Sequence, residues 1–178
     1  MPNLLLTWNY LVNQQRQNQN QEEGEEEEEE LDITLELLDT FQQDLANRDI
    51  TIDFISGAWS PAFVDLTFSS AANKTANGKG NSQTLILASE TIYSPSSLGA
   101  FSETLLSLLR WSAGTEGSKT RALVAAKKVY FGVGGGVDEF LAVLRDIGSS
   151  EIEVKQVADL KSEGVGRVVL EIVPAEKR

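Results

Sequence analysis

The sequence contains neither cysteine nor histidine. Without cysteine there is no disulfide framework and no thiolate zinc site. Without histidine, every mechanism that draws a histidine base from this chain is excluded, Ser-His-Asp hydrolysis among them. Long hydrophobic runs are missing too: no window approaches the ~18–20 apolar residues a membrane helix needs. The apolar start Leu4-Leu5-Leu6 is short and lacks a basic flank, so it does not read as a signal peptide. Positive charge is scarce, with 15 Lys and Arg against 27 Asp and Glu, and nothing attracts a phosphate backbone. The absences predict an intracellular soluble protein, cytoplasmic or nuclear, with no metal, no membrane and no direct nucleic-acid partner.

What is present suffices for one ordinary core: 178 residues, 41% of them hydrophobic. The net charge of −12 is unevenly placed. Glu22, Glu23 and the run Glu25 to Glu30 supply eight negatives and leave −4 for the rest, so the folding part is only mildly acidic. Residues 3–12 read as a short apolar helix. Residues 13–30, a Gln/Asn tract and then an acidic tract, have nothing to bury and read as disordered. The tract is a solvated insertion or, alternatively, a device that steers a basic partner; as an insertion it costs little loop-closure entropy.

From residue 31 the pattern becomes regular. Leu31, Leu35, Leu38, Phe41 and Leu45 recur at helical spacing and predict a helix over 31–47. Ile50 to Ile55 is β-branched, nearly alternating, and ends at Ser56-Gly57, which predicts a strand. Residues 69–82 are rich in Ser, Asn, Gly and Lys and read as a surface loop. Strands are expected at 84–88, 122–130, 152–157 and 168–173. Helices are expected at 98–111 and from the glycine run at 132–136 to about 147. Alternating strands and helices, closed by two strands near in sequence, imply an α/β sheet with an antiparallel strand at its end.

Three segments narrow the choice among α/β families: Phe54-Ile55-Ser56-Gly57-Ala58-Trp59-Ser60, Leu87-Ala88-Ser89-Glu90-Thr91-Ile92-Tyr93, and Ala125 through Tyr130-Phe131-Gly132-Val133-Gly134-Gly135-Gly136. In this order and spacing they resemble the eukaryotic protein-histidine methyltransferases that modify a ribosomal protein, within the class I S-adenosylmethionine-dependent methyltransferases. The resemblance covers roughly residues 50–173, and Leu4 to Val12 continue it. It implies an α/β, Rossmann-like domain of sheet order 3-2-1-4-5-7-6, of which the segments supply strands 3, 4 and 5. Strands 1 and 2, with the glycine-rich cofactor loop and the acidic ribose-binding residue, do not precede the segment at 50–55. The expected organisation is therefore a helix segment at 1–12, the insertion at 13–30, and the C-terminal half of a methyltransferase domain at 31–178. A truncated gene model, a split gene and a degenerate copy would each account for this. The fourth strand should show an exposed apolar edge, and the fold should be marginal.

Carried over by the resemblance, Gly57, Ala58, Trp59 and Ser89 are the cofactor-proximal positions for S-adenosyl-L-methionine. Glycine suits close backbone approach and an indole suits stacking on a purine; Ala58 stands where the family pattern has an acidic residue. By themselves, Gly57 and Trp59 read first as an ordinary turn and a core-capping aromatic. Glu90 and Tyr93 are the candidates for catalysis. A carboxylate at Glu90 would accept a hydrogen bond from one ring nitrogen of a partner's histidine and leave the other lone pair toward the methyl group, whereas the plain alternative is a solvated or salt-bridged side chain. The glycine run lacks the ending of a phosphate-binding P-loop and reads as a turn on the substrate side, with Lys127 and Lys128 as rim charges. The resemblance thus implies a protein substrate, a ribosomal protein, for a monomer. The other readings are a non-catalytic remnant that binds a partner and a lysine methyltransferase of the same fold.

Overall fold

The computed structural model describes Trp8, Asn9, Val12 and residues 33–72, 83–113, 119–132, 134–148, 150–160 and 166–175. The chain divides into two compact units, residues 1–54 and 55–178. The acidic tract lies outside the described residues, as do most of the expected helix at 3–12 and residues 73–82 of the expected loop; Trp8, Asn9 and Val12 are helical.

In the first unit, α1 spans Leu35–Asn47. Thr34 caps it, its hydroxyl accepting the Leu37 N–H at 3.2 Å, and Glu36 sits in the first turn where negative charge suits the helix dipole. Phe41 is buried, and the Trp8 ring meets it edge-on at 5.3 Å. The Trp8 indole N–H donates to Asp44 at 2.7 Å, and Arg48 pairs with the same carboxylate at 3.0 Å. These two contacts, the indole first, hold Asp44 below its ordinary value. The segment 50–55 joins no ladder, a departure from the expected strand. A lone β-branched segment has nowhere to satisfy its backbone groups as a strand, and no described strand pairs with it. Ile50 and Phe54 are accordingly exposed, at 46% and 63%.

The second unit opens with α2, Pro61–Ala72. Ser60 caps it through its hydroxyl to the Phe63 N–H, and Pro61 occupies the first turn, where its missing donor costs nothing. The expected loop from residue 69 therefore starts later. Phe63, Val64, Leu66 and Phe68 lie around the helix rather than along one stripe, so no helical period marks it.

The remaining elements are β1 (Gln83–Ser89), α3 (Pro95–Ala113), β2 (Lys119–Lys127), α4 (Val137–Gly148), β3 (Ile152–Leu160) and β4 (Arg167–Pro174). The sheet is mixed, in the order β1-β2-β4-β3. β1 and β2 are parallel and joined by the α3 crossover; β4 runs antiparallel to both β2 and β3. This is the expected α/β sheet with an antiparallel strand near its end.

Alternation decides which face is buried. Ala122, Val124 and Ala126 of β2 and Val168, Leu170 and Ile172 of β4 all face one way and are at most 2% exposed. α3 and α4 cover that face with Phe101, Leu105, Leu109, Phe140 and Leu144. On the opposite face Leu87, Leu123, Glu171 and Lys155 form one row across the sheet by register. β1 ends that row as an edge strand. Leu85 and Leu87 are 49% and 71% exposed on it, the apolar edge expected from the sequence.

Phe140→Ala should lower stability by about 3–5 kcal/mol, since Phe140 is fully buried, while Leu87→Thr should move it by less than about 0.5 kcal/mol; urea titrations of the two variants check the contrast. Because the folded Asp44 titrates below its unfolded value, its contribution is present above the unfolded value and is lost as pH falls through the folded one. Acid titration followed by Trp8 fluorescence should show this loss, and Trp8→Phe should move the Asp44 titration upward.

Candidate functional site

β1 and β2 point their C-terminal ends the same way, the edge at which open α/β sheets bind ligands. β1 stops at Ser89, an exposed residue opposite Ala125. Glu90 follows in the left-handed region at φ 55°, a conformation that costs a side-chain-bearing residue about 1–2 kcal/mol. Its N–H donates to the Ala125 carbonyl at 3.0 Å, so the sheet's last bond holds the strained residue in place. Ile92, fully buried, then anchors the turn while Tyr93 stands half exposed beside it.

The segment after β2 meets this turn. Tyr130 is buried, and its ring lies 6.2 Å from that of Tyr93. The Tyr130 hydroxyl accepts the Lys127 N–H at 3.2 Å. Burial chiefly, and then Glu90, pushes the Tyr130 phenol above its ordinary value, against the opposing pull of the Lys127 N–H. Lys127 places its ammonium 5.9 Å from the Tyr130 ring centroid. β4, being antiparallel, brings its first residue to the same edge, where the Arg167 guanidinium is 3.9 Å from Glu90. Both partners are about half exposed, so solvent screens that pair to less than about 1 kcal/mol. Lys128 pairs with Asp159 at 2.9 Å on the rim.

The glycine run closes the arrangement. Gly135 has φ 82°, and a Cβ there would meet the Tyr93 carbonyl oxygen at 2.9 Å and the Ile92 carbonyl oxygen at 3.1 Å. Only glycine lets the loop after β2 lie directly on the backbone of the turn after β1.

The other sequence-derived positions sit elsewhere in the unit. Gly57 lies against Phe63, where a Cβ would come within 3.2 Å of its ring. The Ala58 carbonyl accepts the Ser60 hydroxyl at 3.1 Å. Trp59 is 40% exposed and meets Phe63 and Phe101 edge-on, each at 5.5 Å. A cavity of about 420 Å³ beside it is lined by Trp59, Ser60, Glu103, Thr104 and Arg110. The structure thus brings Glu90 and Tyr93 together, with Ser89 adjoining, and sets Gly57, Ala58 and Trp59 against the helices. Tyr130 and Arg167 are the site's additions. Tyr130 had a signal, a tyrosine directly after an apolar strand and before a glycine run; Arg167 had none, because only the antiparallel return of β4 places it there.

Among the described residues no group of three His, Asp or Glu side chains is placed to hold a metal, and no helix is long and apolar enough to cross a membrane. Chemically, the arrangement is a carboxylate on a residue fixed at a strand end and paired with Arg167, with aromatic rings nearby. Fold and site together define an α/β protein with Glu90, Tyr93 and Tyr130 gathered at the carboxyl edge of a parallel strand pair. No protein-family model matches the chain. Histidine protein methyltransferase 1 of Saccharomyces cerevisiae is 35% identical over 156 residues, 85% of this chain and 38% of the yeast protein. The protein of the same name in Schizosaccharomyces pombe is 32% identical over 170 residues, 96% of this chain and 43% of that protein. A homologue in Rattus norvegicus is 41% identical over 88 residues, covering 49% of this chain and 22% of the rat protein. These similarities support a relationship to the histidine protein methyltransferases, and the chain spans about two fifths of the length of the fungal relatives it matches.

Gly135→Ala should destabilise the protein by several times more than Gly132→Ala. Both have positive φ, which costs an alanine about 1–2 kcal/mol. Only Gly135 also meets backbone, whereas nothing lies within 4 Å of a Cβ at Gly132. Thermal unfolding of the two variants gives the comparison.

Proposed function

We propose that this chain is the C-terminal, substrate-side part of an S-adenosylmethionine-dependent protein-histidine N-methyltransferase, weak or inactive alone. The observation that carries this is the similarity to histidine protein methyltransferases across nearly the whole chain, with Glu90 at the carboxyl edge of the parallel pair. In this reading β1, β2, β4 and β3 are strands 4, 5, 7 and 6 of the class I sheet, whose order 4-5-7-6 they reproduce. Strands 1 and 2 would continue from the free edge of β1, where Leu85 and Leu87 are exposed, and the segment 50–55 would become strand 3 beyond them.

S-adenosylmethionine supplies an electrophilic methyl group on a sulfonium. The residues of this chain fit only one margin of a site for it. Trp59 keeps part of its indole open and Ser89 stands at the strand edge, but the two line no common cavity among the described residues, and Ala58 offers no carboxylate. The chain's own work is on the acceptor. Glu90 accepts the N–H of one ring nitrogen of the partner's histidine and so fixes the tautomer in which the other nitrogen keeps its lone pair. Tyr93, half exposed, stacks beside the ring. The partner is a ribosomal protein, met by a monomer in the cytoplasm or nucleus. A second reading is favoured by the exposed apolar edge of β1: a non-catalytic remnant that uses this edge to bind a partner.

Mass spectrometry of ribosomal proteins from cells lacking this gene separates the two readings. Loss of methylhistidine from one ribosomal protein supports the enzyme, and unchanged methylhistidine leaves the remnant. Calorimetric titration of the 178-residue chain with S-adenosylhomocysteine should show binding weaker than micromolar; micromolar binding would mean that this part holds a complete cofactor site.

A further inference from the structure

The cavity of about 420 Å³ beside Trp59 lies between the start of α2, the exposed side of α3 and the end of α4. Its walls are tied into the fold. Gly148 approaches Leu106 so closely that a Cβ there would meet the leucine Cδ1 at 2.9 Å, which sets the end of α4 hard against α3. The chain then turns, the Glu151 N–H donating to the Gly148 carbonyl at 3.0 Å, and the Glu151 carboxylate pairs with Arg110. Arg110 is the one cation on the described lining, and this pair commits its charge. The other polar side chains can accept. Ser107 Oγ donates to the Glu103 carbonyl at 2.8 Å and Ser60 Oγ to the Ala58 carbonyl at 3.1 Å, so their protons are committed and their lone pairs remain. Thr104 is only 3% exposed, and among the described residues its hydroxyl makes no hydrogen bond, a condition buried hydroxyls seldom sustain. Glu103 likewise has no ion-pair partner among the described residues.

We propose that this cavity is a docking site for an arginine side chain of a partner polypeptide. The lining offers unfilled acceptors, and the carboxylates of Glu103 and Glu151 stand against the single guanidinium of Arg110. It also offers an indole, since Trp59 is 40% exposed there. Such a site selects a cation rich in N–H donors. A guanidinium is always charged, carries five donors in one plane and stacks on aromatic rings. It can give a pair of hydrogen bonds to the Glu103 carboxylate and another to the Thr104 hydroxyl while lying against the indole. A lysine ammonium has three donors and no plane, and it fills fewer of these acceptors. The inference goes beyond the reading above and does not depend on it, because the cavity is built on the helices and uses neither Glu90 nor Tyr93.

The test uses the whole chain, labelled with nitrogen-15 at the tryptophan indoles; its three tryptophans are Trp8, Trp59 and Trp111, assigned through Trp8→Phe and Trp111→Phe. The probe is a short capped glycine peptide with one central arginine, so that its guanidinium is its only charge. The same peptide with citrulline, which keeps the shape and loses the charge, and with lysine are the comparisons. The arginine peptide should shift the Trp59 signal and leave those of Trp8 and Trp111 in place. Citrulline should shift nothing, and lysine should bind several times more weakly. Glu103 is exposed, so Glu103→Gln should melt with the parent protein while weakening arginine binding about tenfold, the loss of hydrogen bonds to a charged group. Thr104→Val, which keeps the packing, should weaken it about threefold. Asp138→Asn removes an equal charge at the opposite end of α4 and should change nothing. An unmoved Trp59 signal overturns the proposal, as does citrulline or lysine binding as tightly as arginine. It also fails if Glu103→Gln binds normally, or if Asp138→Asn weakens binding as much as Glu103→Gln does, since net charge alone would then account for the attraction.

Discussion

The parallel pairing of β1 with β2 decides where everything else in the second unit can go. The register runs from Gln83 beside Lys119 to Ser89 beside Ala125, so both strands end together. The turn after one therefore faces the turn after the other, and Tyr93 comes beside Tyr130. Parallel strands need a crossover, and α3 supplies it by lying across the buried face. Its apolar side, with Phe101, Leu105 and Leu109, then packs with Phe140 and Leu144 of α4 over Val124 and Ile172. Each large side chain removed from water there is worth roughly 1.5–3 kcal/mol, more than any surface ion pair at the site. Burial thus fixes the strand ends, and the strand ends fix the chemistry.

The site itself is built from bonds that are individually modest. The Glu90 backbone is strained, the Arg167 pair is half solvated, and the Tyr130 hydroxyl takes one ordinary hydrogen bond from the Lys127 N–H. What makes them specific is that their anchors are on the core. Ile92 and Val124 are fully buried on either side of the turn, and Gly135 presses the glycine loop onto the Tyr93 carbonyl.

The same sheet is well covered on one face and open at one edge. The row from Leu87 through Leu123 to Glu171 and Lys155 passes from apolar at the margin to charged at the far side, where Arg121 pairs with Glu171 at 3.6 Å. Leu85 and Leu87 are the exposed apolar residues at that margin.

The sequence alone determined much of this. Helical spacing of Leu35, Leu38, Phe41 and Leu45 gave α1, and short apolar runs gave β1, β2 and β4, because such strands need little beyond β-branched and apolar residues in a row; β3 was expected too, although it lies mostly exposed. The absence of histidine and cysteine bounded the chemistry, and Glu90 and Tyr93 were visible as polar residues at a strand's end. Tertiary structure decided the rest. It withheld strand pairing from Ile50 to Ile55, since propensity forms no ladder without a neighbour. It made a helix of Pro61–Ala72, whose apolar residues keep no helical stripe, and it brought Tyr130 to Tyr93 and Arg167 to Glu90. Local pattern records which face of a segment prefers to be buried; which segments lie side by side depends on contacts between residues far apart in the chain, and no local period encodes those.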